Sequence, residues 1–443
     1  MEPSFGGSIS ACHFIGSPTR MVPTGRCWPD VVAARLGTST LYNRAVAATG
    51  CALPSFCLDV LLPERVDVLF IEFAVNDAMS LGRPDELSRE HVDGMTLPPR
   101  ASMERLLRTL RRERPSTAVV LVNVCPPHVE RALNASCGLV YGSLATVYNA
   151  EEARLGPAEF GEHRQAWDLL GYHPNADGHR VIADSAVAAA LRSLSPENHL
   201  RVASLGGDGG GASLRSHLPL LPAPQYLDRS WEAIDERWHC SICDWSSCTQ
   251  LAPLSSTGFA VHATRRNSFS RISRAGVPVG HEEKFGYLAT RRGSTMVLPI
   301  DVGFSHGGAE AGDHQTSSSA RRRGGSIVAG VRVLVAMLCS YENVGTAELS
   351  LRLGGAGGVS VVNSSRAELR WPQRVSQQCL WRLTARGAGP FSLSIAVVDE
   401  QTMGRQHEGG HRLSGAGETY GNHQVKVFGY YSQAIAAASP STS

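Results

Sequence analysis

Three polar residues that lie far apart in the chain have the side-chain types needed for acyl transfer at a serine. Ser8 stands in a glycine turn, Asn76 follows a short apolar run, and His173 directly precedes a proline. Acyl transfer needs a nucleophilic hydroxyl, a base that takes its proton, and donors that hold the tetrahedral oxyanion. We interpret Ser8 as the nucleophile, His173 as the base and the Asn76 amide as one donor. The alternative is that all three are ordinary turn or helix-start residues.

The segments around these residues predict a parallel sheet. The stretch 66–77 begins with a short apolar run, rich in β-branched and aromatic residues, that indicates a buried strand. Asn76 then falls beyond the carboxyl end of that strand, where functional polar groups gather in open parallel sheets. Further strands are predicted at 41–47 and 117–124, and helices at 27–37, 102–112 and 175–194. The helix at 102–112 is amphipathic, with leucines on one face and arginines opposite. This alternation predicts a doubly wound α/β fold.

Taken in order, these segments resemble the SGNH hydrolases, also called GDSL esterases and lipases, and among them a plant and algal branch. The resemblance covers residues 4–194. It rests on 5–10 (Phe-Gly-Gly-Ser-Ile-Ser), 72–77 (Glu-Phe-Ala-Val-Asn-Asp) and 173–179 (His-Pro-Asn-Ala-Asp-Gly-His). It implies an SGNH-type hydrolase domain at 1–199 in which an oxyanion hole is formed by the main-chain N–H groups of Ser8 and Ala48 and the side chain of Asn76. The family usually has glycine at the position of Ala48, and Gly50 is the alternative donor.

The acid of the expected triad departs from the family pattern. The family places an aspartate three residues before the histidine, where this chain has Leu170. Asp168 is the nearest carboxylate, and we predict that it orients His173; a main-chain carbonyl is the alternative. Because the acid sets the tautomer and stabilises the imidazolium, its loss can lower the rate by up to roughly 10⁴-fold. His179 also matches the family, and we interpret it as structural.

Two segments look shorter than the family pattern. Few residues precede the glycine turn, and Pro3 is a poor residue for a central strand, so we expect a truncated chain that lacks most of the first strand. The segment 149–165 has little recognisable pattern. We therefore expect the last strand and helix of the sheet to be abbreviated.

Composition narrows the classes of partner. The chain has 443 residues with 42 Lys+Arg against 40 Asp+Glu, which gives no electrostatic reason to expect nucleic acid or an anionic membrane. No apolar run approaches the roughly 20 residues of a membrane span. The expected partner is an acyl-ester substrate, with a polysaccharide as a candidate. No cofactor and no metal are predicted.

Eleven cysteines are many for a cytosolic enzyme. Cys240, Cys243 and Cys248 have part of the spacing of a zinc site but no second pair of ligands, and disulfides or free buried thiols are the alternatives. Asn134 and Asn363 begin Asn-x-Ser sequons, which are compatible with a secretory route. The compartment stays open, because the chain as given shows no signal peptide; a secretory route is favoured if its start is truncated.

After the first domain the composition and the hydrophobic pattern of the sequence change. Residues 200–224 predict a linker, and 225–436 contain short alternating segments between Gly, Ser and Asn turns, which predict an all-β sandwich. A Gly-, Ser- and Arg-rich stretch at 303–325 predicts a disordered loop. Four tryptophans could stack on sugar rings or form core: Trp231, Trp238, Trp371 and Trp381.

These observations together favour a serine esterase or acylhydrolase that cleaves an O-acyl ester, with O-acetyl groups on a carbohydrate as a candidate substrate. Two other classes stay open. One is a non-catalytic glycan- or protein-binding relative. The other is an O-acyltransferase on the same scaffold, in which a sugar hydroxyl replaces water as the acyl acceptor.

Overall fold

A computed structural model describes most of both domains, and it divides the chain into two compact units. The first comprises Met1–Asp235, Ala263–Phe285 and Trp371–Gln378, and the second Glu236–His262, Gly286–Arg370 and Cys379–Ser443. The described residues are 2–6, 10, 26–37, 40–45, 49–79, 99–125, 141, 143–156, 173–195, 225, 238–243, 251–264, 271–272, 278–279, 284–301, 328–339, 345–355, 358–369, 377–387, 389–398 and 424–436. The linker 200–224 and the loop 303–325 lie outside them, and the boundaries 1–199 and 225–436 stay predictions.

The first unit is built on a five-stranded parallel sheet. Its strands are β1 (Glu2–Gly6), β2 (Leu41–Asn43), β3 (Val68–Glu72), β4 (Ala118–Val124) and β5 (Glu151–Leu155). Their order in the sheet is β2-β1-β3-β4-β5. Every residue of β3 and β4 is buried, as the apolar runs predict. A separate two-stranded pair is formed by β9 (Arg271–Ile272) and β10 (Pro278–Val279).

Helices alternate with these strands along the chain. They are α1 (Trp28–Leu36), α2 (Ala52–Phe56), α3 (Leu58–Leu61), α4 (Ala74–Met79), α5 (Pro99–Glu113), α6 (Leu144–Val147) and α7 (Ala176–Ser193). α7 packs on β4, β5 and α1, while α2, α3 and α5 form a second group. The predicted fold class, an α/β parallel-sheet domain followed by a β domain, is confirmed. None of the helices in the described part is both long and apolar enough to cross a membrane.

The expectation that most of the first strand is missing is wrong. Glu2–Gly6 forms β1, which lies between β2 and β3 in the sheet. Pro3 is tolerated because the pairing with β3 begins only at Ser4, so the proline lies in the part of the strand that is paired on one side. The expectation for 149–165 is also corrected, since β5 forms there and pairs in parallel with β4.

The arginines of α5 do not form a solvent-facing side. Arg105 and Arg108 are buried like the leucines. The Arg105 Nε donates to Ser55 O at 3.1 Å, and its guanidinium lies 4.6 Å from the centre of the Phe56 ring. Arg108 donates to the Tyr148 hydroxyl at 3.2 Å. The helix is therefore covered on both sides, and these two guanidinium groups contact polar and aromatic groups inside the unit.

The second unit contains two antiparallel sheets, as the alternating pattern predicts. Their strands are β6 (His239–Ile242), β7 (Ser255–Thr257), β8 (Phe259–Thr264), β11 (Lys284–Ala289), β12 (Thr295–Ile300), β13 (Val328–Cys339), β14 (Thr346–Gly355), β15 (Gly358–Glu368), β16 (Gln377–Arg386), β17 (Phe391–Val398) and β18 (Val425–Ala436). One sheet has the order β16-β13-β18-β11-β8 with β6 also paired to β18, and the other has the order β15-β14-β17-β12-β7.

Most of the described cysteines are disulfide-bonded. Cys339 and Cys379 join the neighbouring strands β13 and β16. The described cysteines that are disulfide-bonded are Cys27, Cys57, Cys125, Cys240, Cys243, Cys339 and Cys379. Cys240 and Cys243 therefore have no thiolate to offer to zinc. Of the four tryptophans considered for sugar stacking, Trp381 is buried and belongs to the core, while Trp231 and Trp371 lie outside the described residues.

We predict that Gly429→Ala destabilises the second unit. Gly429 of β18 pairs with Ile242 at a φ of +156°, and a Cβ there would collide with Ser241 O and with Ile242. Overpacking of this kind costs about 1–3 kcal/mol in the free energy of unfolding, measured by urea denaturation. Gly293→Ala is the control, because its φ is +76° but nothing lies within 4 Å of the added Cβ. Equal losses in the two variants would show that the collision adds nothing to the backbone strain.

Candidate active site

The direction of α7 brings His173 to the carboxyl edge of the parallel sheet. Arg192, near the end of α7, donates to Glu151 at the start of β5, with Nε and Oε2 3.1 Å apart. The helix therefore runs antiparallel to β5, and its first turn lies about 25 Å away from Arg192, toward the carboxyl ends of the strands. His173 precedes that turn and is half-buried. The start of the helix is capped by Asn175, whose side chain accepts from the N–H groups of Asp177 and Gly178.

Asn76 reaches the same edge from β3, but it lies in a helix and not in a turn. A single residue separates the end of β3 from the first residue of α4. The half-buried Asn76 directs its Nδ2 to Thr49 O at 2.7 Å. A side-chain amide has two hydrogens. One of them is donated to the Thr49 oxygen, and the other can be donated to a ligand.

The bond to Thr49 also bears on which main-chain N–H can join Asn76 around an oxyanion. Thr49 C=O and Gly50 N–H belong to one peptide unit, and in a trans peptide these two groups point in opposite directions. With Thr49 O facing Asn76, the Gly50 N–H faces away from it. This geometry disfavours Gly50 as the alternative donor and leaves Ala48 as the predicted one.

Gly50 has a different reason to be glycine. A Cβ at this position would collide with Asp77 Oδ1. Asp77 is buried, and its two oxygens accept the Cys51 N–H at 3.2 and 3.4 Å. The Tyr141 hydroxyl donates to Asp77 Oδ2 at 2.6 Å. The close approach of the carboxylate to the chain at residues 50–51 therefore requires a residue without a side chain.

Burial raises the pKa of the Asp77 carboxyl to about 6, and the hydrogen bonds from Cys51 and Tyr141 oppose that rise. Burial, the charge of Asp77 and, to a smaller extent, that of Glu72 raise the pKa of the Tyr141 hydroxyl. Tyr141 therefore stays protonated and donates to Asp77. The Cys51 thiol is free and buried, and its Sγ donates to Pro99 O at 3.2 Å.

A second buried carboxylate holds the segment that follows β1. Glu72, the last residue of β3, accepts from the N–H and the hydroxyl of Ser10 with its Oε2, at 3.3 and 3.0 Å. The Ser10 carbonyl accepts from Asn43 Nδ2 at 2.8 Å. Ser10 is fully buried, so it is fixed between the ends of β2 and β3. The predicted nucleophile Ser8 lies two residues earlier in the chain.

His179 serves the packing of helices, as predicted. It is fully buried in α7, and its Nδ1 accepts from the N–H of Trp28, the first residue of α1, at 3.3 Å. When neutral it therefore carries its proton on Nε2. This bond ties the start of α1 to α7.

Residues 4–181 match the family model described as the GDSL-like Lipase/Acylhydrolase family. The N-terminal domain belongs to this family. The match includes the positions of Ser8, Asn76 and His173.

Solved structures are similar to this chain. A two-domain esterase (CEX) active on acetylated mannans is 16% identical, with 99% of this chain and 92% of that chain covered and a TM-score of 0.50. Its crystal with mannopentaose is also 16% identical, with the same coverage and a TM-score of 0.48. TesA is 17% identical, with 44% of this chain and 100% of that chain covered and a TM-score of 0.34. No curated protein matches the chain.

The structure describes only some of the residues that the sequence predicts for this site. Asn76 and His173 are described and lie at one edge of the sheet, whereas Ser8, Ala48, Asp168 and Leu170 lie outside the described residues. The roles of those four positions stay predictions. Sequence reasoning missed the parts played by Glu72, Asp77 and Tyr141. A charged residue ending an apolar strand was a signal for Glu72, but nothing in the sequence points to Tyr141.

We predict that Asp77→Asn changes how stability depends on pH. The folded pKa of Asp77 lies above its ordinary value of 3.8, so its contribution to stability is complete below that value and is lost as pH rises through about 6. The advantage of the wild type over Asp77→Asn in free energy of unfolding should therefore fall by up to about 3 kcal/mol between pH 4 and pH 7. Urea denaturation at each pH measures it. A difference that stays constant over this range would contradict the raised pKa.

Proposed function

We propose that the N-terminal domain is a serine esterase that hydrolyses O-acyl esters. Ser8 is the nucleophile, His173 the base, and Asn76 with the N–H groups of Ser8 and Ala48 forms the oxyanion hole. The observation that carries this proposal is the family match over residues 4–181, which spans all these positions. The place of Asn76 and of the start of α7 at one edge of the sheet supports it.

The reaction proceeds in two steps. The Ser8 hydroxyl attacks the ester carbonyl carbon while His173 takes its proton, and the oxyanion is held by the Asn76 amide and the main-chain donors. The C–O bond to the alcohol then breaks, the histidine returns the proton to the leaving oxygen, and an acyl-enzyme remains. Water, deprotonated by the same histidine, releases the acid and restores the serine.

Asp168 is proposed to orient the imidazole of His173, because it is the nearest carboxylate before it in the chain. We also propose the plant and algal branch of the family, which rests on the segment 72–77. The proposed substrate is an O-acetyl group on a carbohydrate. A protein with the same two-domain fold is active on acetylated mannans, which supports this class of substrate.

We predict that Ser8→Ala and His173→Asn each lower kcat for p-nitrophenyl acetate by about 10⁴-fold or more. Without the hydroxyl there is no nucleophile, and without the imidazole nothing takes its proton. Ser143→Ala and His262→Asn are matched controls at exposed positions, and they should keep kcat within about twofold. Wild-type protein that is as inert as Ser8→Ala on a panel of short acyl esters would remove the enzyme proposal.

We predict that the wild type releases acetate from acetylated mannan and that Ser8→Ala does not. Deacetylated mannan is the control substrate, and acetate is measured enzymatically. Binding of the glycan without acetate release would identify a non-catalytic relative. Acetyl groups recovered on an added sugar acceptor, with no free acetate, would identify a transferase.

A further inference from the structure

We propose that Glu72 and Asp77 are positioning residues of the esterase site, which fix the chain segments after β1 and β2 where acyl transfer needs them. The inference rests on the proposed function. Glu72 and Asp77 flank Asn76 on the short stretch from β3 into α4, and both carboxylates are buried. Neither side chain is assigned to the reaction itself.

Glu72 holds both ends of the short segment that contains Ser8. Its main chain pairs with Gly6 in the sheet, and its carboxylate binds the N–H and the hydroxyl of Ser10. Three residues connect these two anchored points. Because the freedom of a connection falls with its length, we expect these two anchors to restrict the position of the Ser8 hydroxyl.

Asp77 and Asn76 hold the segment after β2 in the same way. Asp77 binds the Cys51 N–H with both oxygens, and Asn76 binds the carbonyl of Thr49. The anchored residues 49–51 directly follow Ala48, the predicted second main-chain donor. A carboxylate forms hydrogen bonds roughly twice as strong as those of a neutral acceptor, which suits a group that must hold a backbone in place.

The chemistry gives a reason for this rigidity. Donors to an oxyanion act fully only when they are held within about 0.5 Å of the productive geometry. Loss of one donor costs about 10²–10³-fold in kcat. A shift of either segment weakens the stabilisation of the transition state, while the ester still binds in the ground state. We therefore expect kcat to fall and KM to change little.

The test compares isosteric amides at three buried carboxylates, Glu72→Gln, Asp77→Asn and Glu104→Gln. Glu104 is the matched control, because it is also fully buried and also accepts a tyrosine hydroxyl, from Tyr148 at 2.8 Å, and a main-chain N–H, from Gln225 at 2.7 Å. We expect kcat per folded molecule for p-nitrophenyl acetate to fall about 10–100-fold at Glu72 and at Asp77, with KM within about twofold. The control should keep both values.

Two outcomes separate this inference from the proposed function. If the wild type has no esterase activity, the proposed function fails. If the wild type is active and the variants at Glu72 and Asp77 lose no more kcat per folded molecule than Glu104→Gln, the positioning role is overturned. Circular dichroism and urea denaturation supply the folded fraction of each variant.

A milder variant covers the case in which Asp77→Asn does not fold. Tyr141→Phe removes the hydroxyl that donates to Asp77 Oδ2 at 2.6 Å and leaves the carboxylate in place. We expect kcat per folded molecule to fall about 3–10-fold, with KM within about twofold. Tyr148→Phe, which loses the equivalent bond to Glu104, should keep both values. Equal values of kcat per folded molecule in the two variants overturn the role of Asp77.

Discussion

The structure of the site depends on one constraint: where chains leave a parallel sheet, their main-chain N–H and C=O groups still need partners. At the carboxyl edge of this sheet those partners come from the end of β3 and the start of α4. Glu72 receives the N–H of Ser10, Asn76 donates to the carbonyl of Thr49, and Asp77 receives the N–H of Cys51. One short stretch thus organises the segments that follow two other strands.

The proposed oxyanion hole requires main-chain N–H groups that are both unpaired and held in fixed positions. Its N–H groups must stay unpaired before the substrate arrives, yet the backbone that carries them must be held still. Here the anchoring falls on neighbouring residues. Ser10 is fixed two positions after Ser8, and Thr49 and Cys51 are fixed just after Ala48.

Much of the fold could be predicted because local pattern and burial agree. The segments that became β12, β17 and α7 show clear strand or helix periods, and Asn175 is a typical cap. The sequence pattern gave the wrong prediction at Pro3, because the proline lies where β1 is paired on one side only and its missing N–H is tolerated. It also missed β5, because only Ala153 and Leu155 of that strand are buried. It could not place Tyr141 or the buried side of Arg108, since partners distant in sequence decide both.

The make-up of the two units bears on how the protein is synthesised. The chain passes from one unit to the other after residues 235, 262, 285, 370 and 378, and the β9–β10 pair belongs to the first unit although β6 and β7 of the second precede it. Domains generally fold as units as they leave the ribosome. A fragment of residues 1–235 would therefore contain the whole parallel sheet of the first unit but not its β9–β10 pair.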